Sequence, residues 1–261
     1  MERALLPLVL LVAGCGSDGK DGPASETDAD SDADSDADSD ADSDADSDAD
    51  SDADTDTVPP VTFEMAFEDA LTGIVTPGVV CTVDGVDHTS DVDGLLTITT
   101  AANQASLAFP CVDGAHQDQW LTLTTGDVDG PRFDNLLVTS ASMSLLGSLL
   151  GLGAPDPAKG LIGISVTDTR TGEGLVGATV SIDSAYTGAA VSDESRLGFS
   201  IGDTLPAGGL VVVFANVDPG PTDITITTPA GETCVTSFGA TNVGTIDVVA
   251  NANNVIQYLC Q

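Results

Sequence analysis

The sequence predicts an all-β protein. Two tandem β-sandwich modules follow a disordered acidic tether, with a short helix between them. Three observations point there. From residue 61 onward the chain is rich in Val, Thr, Ile and Gly, and long segments of helical period are scarce. A strand-like segment at 71–84 recurs at 170–183. Between Thr27 and Thr57 there is no large apolar residue.

The N-terminus reads as an export signal over residues 1–14. Met1-Glu2-Arg3 is a minimal charged start, and Ala4 to Val12 is almost wholly apolar. That run is about half of the roughly 20 residues needed to cross a bilayer, and it fits the apolar region of a secretory signal. The ending Val12-Ala13-Gly14-Cys15 resembles a bacterial lipobox. The resemblance implies that Cys15 becomes the acylated first residue and that the protein is exported. It implies a lipid anchor at the bacterial outer membrane or cell surface, the membrane being one partner. Buried methylenes set the strength of such an anchor, so a multiply acylated cysteine holds stably.

Residues 15–60 form the tether. Ser-Asp-Ala-Asp repeats without interruption from Ser31 to Asp54. Such a segment buries too little apolar surface to offset its ordering entropy, and Asp at every second position extends it by repulsion. At roughly 3.3 Å per residue its reach is at most about 150 Å. Net charge over the whole chain is −36. It divides between residues 15–60, with 18 acidic residues against one lysine, and residues 61–261, with 23 against four basic ones. A chain this acidic has no basic footprint for nucleic acid. It is also repelled by anionic lipid surfaces.

The first module is expected over 61–142 and the second over 160–261. Thr72-Gly73 through the alternating Val79 to Asp84 aligns without gaps on Thr171-Gly172 through Ala178 to Asp183, at an offset of 99 residues. Downstream, the turn Asp93-Gly94 and the strand Leu95 to Ile98 parallel Val191 to Ile201, with a short insertion. A period near 100 residues means tandem domains rather than a solenoid.

These segments resemble the carboxypeptidase regulatory-like family, which has a transthyretin-like β-sandwich fold. Its further segment, an aromatic residue and then Asn before a Gly and a strand, reads here Phe214-Ala215-Asn216-Val217-Asp218-Pro219-Gly220, followed by Asp223 to Thr227. The likeness covers most of 160–261. It is weaker over 61–140, where Phe109-Pro110-Cys111-Val112-Asp113-Gly114 lacks the Asn. The resemblance implies transthyretin-like or Ig-like modules without catalysis, which space, stabilise, or bind glycans and proteins.

Between the modules, residues 143–159 read as a helix and a linker. In Met143 to Leu152 the leucines fall in a helix-like stripe, expected to pack over one end of a domain. Gly153 to Gly160, with Pro155 and Pro157, blocks its continuation.

Four cysteines remain besides Cys15: Cys81, Cys111, Cys234 and Cys260. An even number in an exported chain points to disulfides, and three pairings are open. Cys81–Cys111 with Cys234–Cys260 is the most economical, with one staple in each half. Each would close a loop of about 25–30 residues and contribute about 2–4 kcal/mol. No Cys-x-x-Cys or His-x-x-x-His spacing supports zinc.

The sequence offers no convincing enzyme. Gly198-Phe199-Ser200-Ile201-Gly202 fits a nucleophile-elbow pattern, but that motif needs a later histidine, and His88 and His116 both precede it. The Asp-rich turns at Asp91 to Gly94, Asp113-Gly114 and Asp127 to Gly130 lack a full calcium ligand set, and Asp and Gly are ordinary hairpin residues. Cofactors are therefore expected to be none, with calcium as the weak exception. The ligand-contact candidates are Trp120, His116 and Asp118, where an exposed Trp120 would stack on a sugar. The expected role is non-catalytic: a lipoprotein displaying interaction or structural modules to an unidentified protein or glycan partner. The competing reading is a carbohydrate-binding or adhesin-type surface module.

Overall fold

The computed structural model describes residues 58–70, 72–130, 132–193, 198–236 and 244–261. The export signal, Cys15 and the Ser-Asp-Ala-Asp repeat lie outside the described residues.

The protein is all-β, and among the described residues one helix interrupts the strands. The first seven strands are β1 (Val61–Asp69), β2 (Val80–Val83), β3 (Val86–Thr89), β4 (Leu95–Thr100), β5 (Leu107–Val112), β6 (Gln119–Leu123) and β7 (Arg132–Leu137). Alternation drives them. In β1, Val61, Phe63, Met65 and Phe67 are buried, and in β4 Leu96 and Ile98 are. β4, β1 and β7 form one sheet, with β4 antiparallel and β7 parallel to β1. It packs on β3-β2-β5-β6 around a core that includes Phe63, Phe67, Ile98, Phe109 and Leu121.

Helix α1 (Ser140–Leu150) follows. Thr139 caps it by accepting from the Ser142 N–H, and Gly151 closes it in the left-handed conformation at φ 69°. Met143 and Gly147 are buried. The leucine stripe is divided, because Leu145 and Leu149 face solvent at 60% and 75% exposure.

The remaining strands are β8 (Gly160–Asp168), β9 (Thr179–Ile182), β10 (Gly188–Ser192), β11 (Phe199–Ile201), β12 (Val211–Val217), β13 (Gly220–Thr227), β14 (Cys234–Thr236), β15 (Thr245–Val248) and β16 (Asn253–Cys260). The sheet β11-β10-β12-β8-β16 packs against β15-β13-β9 around Ile162, Ile164, Val212, Phe214, Ile256 and Tyr258.

The repeat is real in three dimensions. β2 and β9 coincide at the same offset, and so do the bridges Glu68–Val75 and Thr167–Gly174. Gly78 and Gly177 take matching left-handed turns at φ 79° and 82°, which only glycine adopts freely. Pairing matches as well: β7 runs parallel to β1 as β16 does to β8. β5 and β6 stand to β2 as β13 and β15 stand to β9. The downstream part of the alignment does not hold. β11 pairs with β10 at the sheet edge, whereas β4 pairs with β1; the strand that pairs with β8 as β4 does with β1 is β12. β10 and β11 form a hairpin whose alternation imitates the expected strand.

The two sandwiches share one sheet. β6 and β16 pair in parallel through Gln119–Asn253, Trp120–Asn254, Leu121–Val255 and Thr122–Ile256. This seam joins the strands into a ten-stranded sheet. The registers place the β4-β1-β7 sheet over one face of it and the β15-β13-β9 sheet over the other face. Two disulfides, Cys81–Cys111 and Cys234–Cys260, each link directly opposed residues of paired strands.

Candidate functional site

The loop from Asp113 to Asp118 connects β5 to β6 and carries two of the three ligand-contact candidates. Asp113 shapes it: its Oδ1 accepts from the Ala115 and His116 N–H groups at 3.0 and 2.9 Å. The turn aims His116 inward, where its side chain is 10% exposed. Nδ1 lies 2.5 Å from Asp113 Oδ2 and Nε2 lies 3.0 Å from Asp69 Oδ2. A protonated ring donates to both. Burial opposes the charged imidazole, but the hydrogen bonds and charges of Asp113 and Asp69 outweigh it and hold His116 above its ordinary 6.5. Burial also opposes the Asp113 carboxylate, and the His116 and Ala115 hydrogen bonds outweigh it, keeping Asp113 below 3.8.

This arrangement is a latch. Asp69 ends β1 in one sheet, while Asp113 and His116 lie between two strands of the other. Both ring nitrogens of His116 are engaged, and the Asp69 carboxylate also holds Thr72 through Oδ1.

Asp118 and Trp120 do other things. The Asp118 side chain is exposed, and its carbonyl accepts from the Asn253 N–H at 2.8 Å, so its backbone helps close the seam. Trp120 is half-buried. It lies on the face of β6 opposite Leu121 and Leu123, with Pro110 and Asn254 as its cross-strand neighbours.

The Asp-rich turns serve the backbone. Asp91 Oδ1 accepts from the Asp93 and Leu95 N–H groups, and Asp129 Oδ1 accepts from Thr62 N–H at 2.7 Å. Asn216, from the family-like segment, sits at φ 51°. Its Oδ1 accepts from Asp156 N–H at 2.8 Å, and its Nδ2 donates to Ala154 O at 3.1 Å and Thr187 Oγ1 at 3.3 Å. It therefore fastens the linker to β12. Ser200 lies exposed on β11.

A cavity of about 240 Å³ lies on the sheet face that carries α1, beside the β7 edge. Leu121, Val213, Phe133, Met143 and Leu146 supply apolar walls, and Gln119, Asn135 and Asn253 also line it. Sequence reasoning passed over these three amides. The signal was present: Asn135 takes an inward position between Phe133 and Leu137 on a strand that otherwise buries apolar residues there. Among the described residues, no helix is long and apolar enough to cross a membrane, and no group of three or more His, Cys, Asp or Glu side chains is arranged to hold a metal.

No protein-family model matches the chain, and no curated protein does. Among solved structures it is similar to the Bacillus anthracis TIE protein, at 11% identity and TM-score 0.25, over 77% of this chain and 34% of that one. It thus spans about a third of that protein's length. It is also similar to the shaft pilin SpaA of Lactobacillus rhamnosus GG, at 13% identity and TM-score 0.23, over 77% and 98% of the two chains. A third is the major pilin T-13 of Streptococcus pyogenes, at 8% identity and TM-score 0.25, over 78% and 97%.

Proposed function

We propose that this chain is a non-catalytic, envelope-anchored display protein. Cys15 carries the lipid, the acidic repeat sets the reach, and the two β-sandwiches, which we read as carboxypeptidase regulatory-like modules, present a stiff interaction surface. The observation that supports this best is the β6–β16 seam. A hydrogen-bonded strand pair fixes two modules far more firmly than a linker does, so the tether carries one rigid body rather than two beads. A rigid head on a long, charged stalk is a geometry for presentation. His116 serves as a latch in this reading, with both ring nitrogens bound to carboxylates.

Metabolic labelling with a palmitate analogue tests the anchor. The full chain incorporates label and fractionates with membranes, and Cys15→Ser is unlabelled and released. Unchanged labelling in Cys15→Ser would overturn the lipid assignment.

A carbohydrate-binding reading draws on one feature, the half-buried Trp120 on the outer face of β6 beside Pro110. A glycan array with and without calcium tests it. Binding abolished by Trp120→Ala supports a surface lectin, and no binding leaves the presentation role.

A further inference from the structure

The cavity beside α1 holds three buried polar atoms without a hydrogen-bond partner: Gln119 Oε1, Asn135 Nδ2 and Asn253 Oδ1. Their residues are 1%, 8% and 6% exposed. Buried polar groups are almost always paired, because an orphan keeps its full desolvation penalty with nothing to offset it. Three in one cavity therefore need an explanation. They come from three strands. Gln119 and Asn253 are cross-strand neighbours on the seam, and Asn135 faces inward from β7. The Gln119 amide is oriented by its own hydrogen bond, Nε2 donating to Leu136 O at 2.7 Å, which leaves Oε1 as an acceptor. The polar corner thus presents two acceptors and a donor.

We propose that this cavity binds a neutral, mainly apolar small molecule ending in a group that both donates and accepts hydrogen bonds, a primary amide or an alcohol. A primary amide donates its two N–H groups to Gln119 Oε1 and Asn253 Oδ1 and accepts from Asn135 Nδ2, whereas an alcohol donates its one O–H to either acceptor and accepts from the same Nδ2. The apolar body lies against Leu121, Val213, Phe133 and the α1 side chains Met143 and Leu146. Size supports this. A single water needs only about 10–15 Å³, and a cavity of about 150 Å³ takes benzene. Here about 240 Å³ is open, so water at the polar corner leaves most of the apolar wall unfilled. Charge supports neutrality. Among the described residues, Asp134 is the only ionisable one in the lining, and its side chain is 67% exposed and bound to Arg132. Among the described residues, a buried ligand charge would find no buried counter-charge.

Calorimetric titration of the full, oxidised chain with octanamide, 1-octanol and octanoate at pH 7 tests the proposal. Octanamide and octanol bind one-to-one and shift the side-chain NH₂ resonances of Gln119, Asn135 and Asn253, while octanoate binds at least about tenfold more weakly. Gly163→Leu fills the floor, since a Cβ there meets only Asn253 Oδ1, at 3.7 Å. It abolishes binding and raises Tm. Asn135→Leu deletes the donor and weakens both neutral ligands about tenfold, a check that does not depend on Gly163→Leu folding. No saturable binding by the wild-type chain, or octanoate binding equal to octanamide, overturns the proposal and leaves a water-filled cavity.

Discussion

Asp69 and Asp168 end β1 and β8 at the same point of the repeat, and each is gripped by a cation of a different kind. Asp69 is held by His116, which reaches on to Asp113. Asp168 takes a two-pronged hydrogen bond from Arg170, Nε to Oδ1 at 2.8 Å and Nη2 to Oδ2 at 2.9 Å, and Arg170 reaches on to Glu232 at 3.6 Å. Both modules thus tie the end of their first strand to a second carboxylate. One tie rests on an imidazole, held above its ordinary 6.5 and lost as pH rises through that raised value, and the other does not titrate, because guanidinium stays charged.

The His116 latch makes the first module sensitive to pH. A histidine raised above 6.5 in the folded state contributes stability fully below 6.5 and loses it as pH rises through the raised value. A carboxylate held below 3.8 contributes above 3.8 and loses it as pH falls through the lowered value. The latch is therefore strongest between those two limits. His116→Gln should cost about 1–3 kcal/mol in that window, with the gap to wild type narrowing as pH rises through the raised value. Urea denaturation across pH, with the His116 ring signal followed by NMR, checks this. Arg170→Gln should lower stability by an amount that is flat from pH 5 to 9.

The two disulfides should differ in what they hold. Replacing Cys81 and Cys111 by Ala should cost about 2–4 kcal/mol, and so should replacing Cys234 and Cys260. The second pair also fastens β16, the seam strand, to β14. Its loss should speed amide exchange in β6, which belongs to the other module. Loss of the first pair reaches β16 only through the stability the two modules share, so it should speed exchange there less than loss of the second pair does. Denaturant melts and hydrogen exchange on the two double variants separate these outcomes.

Asn216 joins backbone conformation to linker anchoring, and two substitutions separate the roles. Asn216→Gly keeps the left-handed φ and loses the bonds to Asp156, Ala154 and Thr187. Asn216→Ala loses the same bonds and also strains the backbone, so it should be the less stable by about 1 kcal/mol. Both should expose residues 154–156 to proteolysis. If the Gly variant protects that segment as well as wild type does, the anchoring role is wrong.

Local chemistry decided what the sequence could reveal. The repeat was legible because left-handed glycines such as Gly78 and Gly177 and the alternating strands after them are short-range features. The divided sheet order was not, since alternation says which face a residue takes and nothing of which strand lies beside it. That is why Phe199 to Ile201 passed for the counterpart of β4. The seam left no local trace, because parallel strands are joined by no turn, and Gln119 and Asn253 are far apart in the chain. The 113–120 segment drew notice for its His, Asp and Trp. Its latch partner Asp69 comes from β1, beyond any spacing rule. The leucines of α1 read as one stripe, yet Leu145 and Leu149 project outward while Leu146 borders the cavity.

The seam predicts a single cooperative unfolding unit. β16 is hydrogen-bonded to β8 along its length and to β6 over Asn253–Ile256, so it belongs to both halves of the shared sheet. Val255 sits in that stretch, paired with Leu121 on one side and Gly163 on the other. Proline at a central strand position removes a ladder hydrogen bond and clashes with its neighbours, at about 3 kcal/mol or more. Val255→Pro should therefore destabilise residues 61–137 as well as the second sandwich that contains the substitution. Calorimetry of the wild type should give one transition with matching van't Hoff and calorimetric enthalpies. The variant should split it into two, both below the original Tm. A first-module transition unshifted from wild type would mean that the strands touch without coupling, and the rigid-body basis for presentation would fail with it.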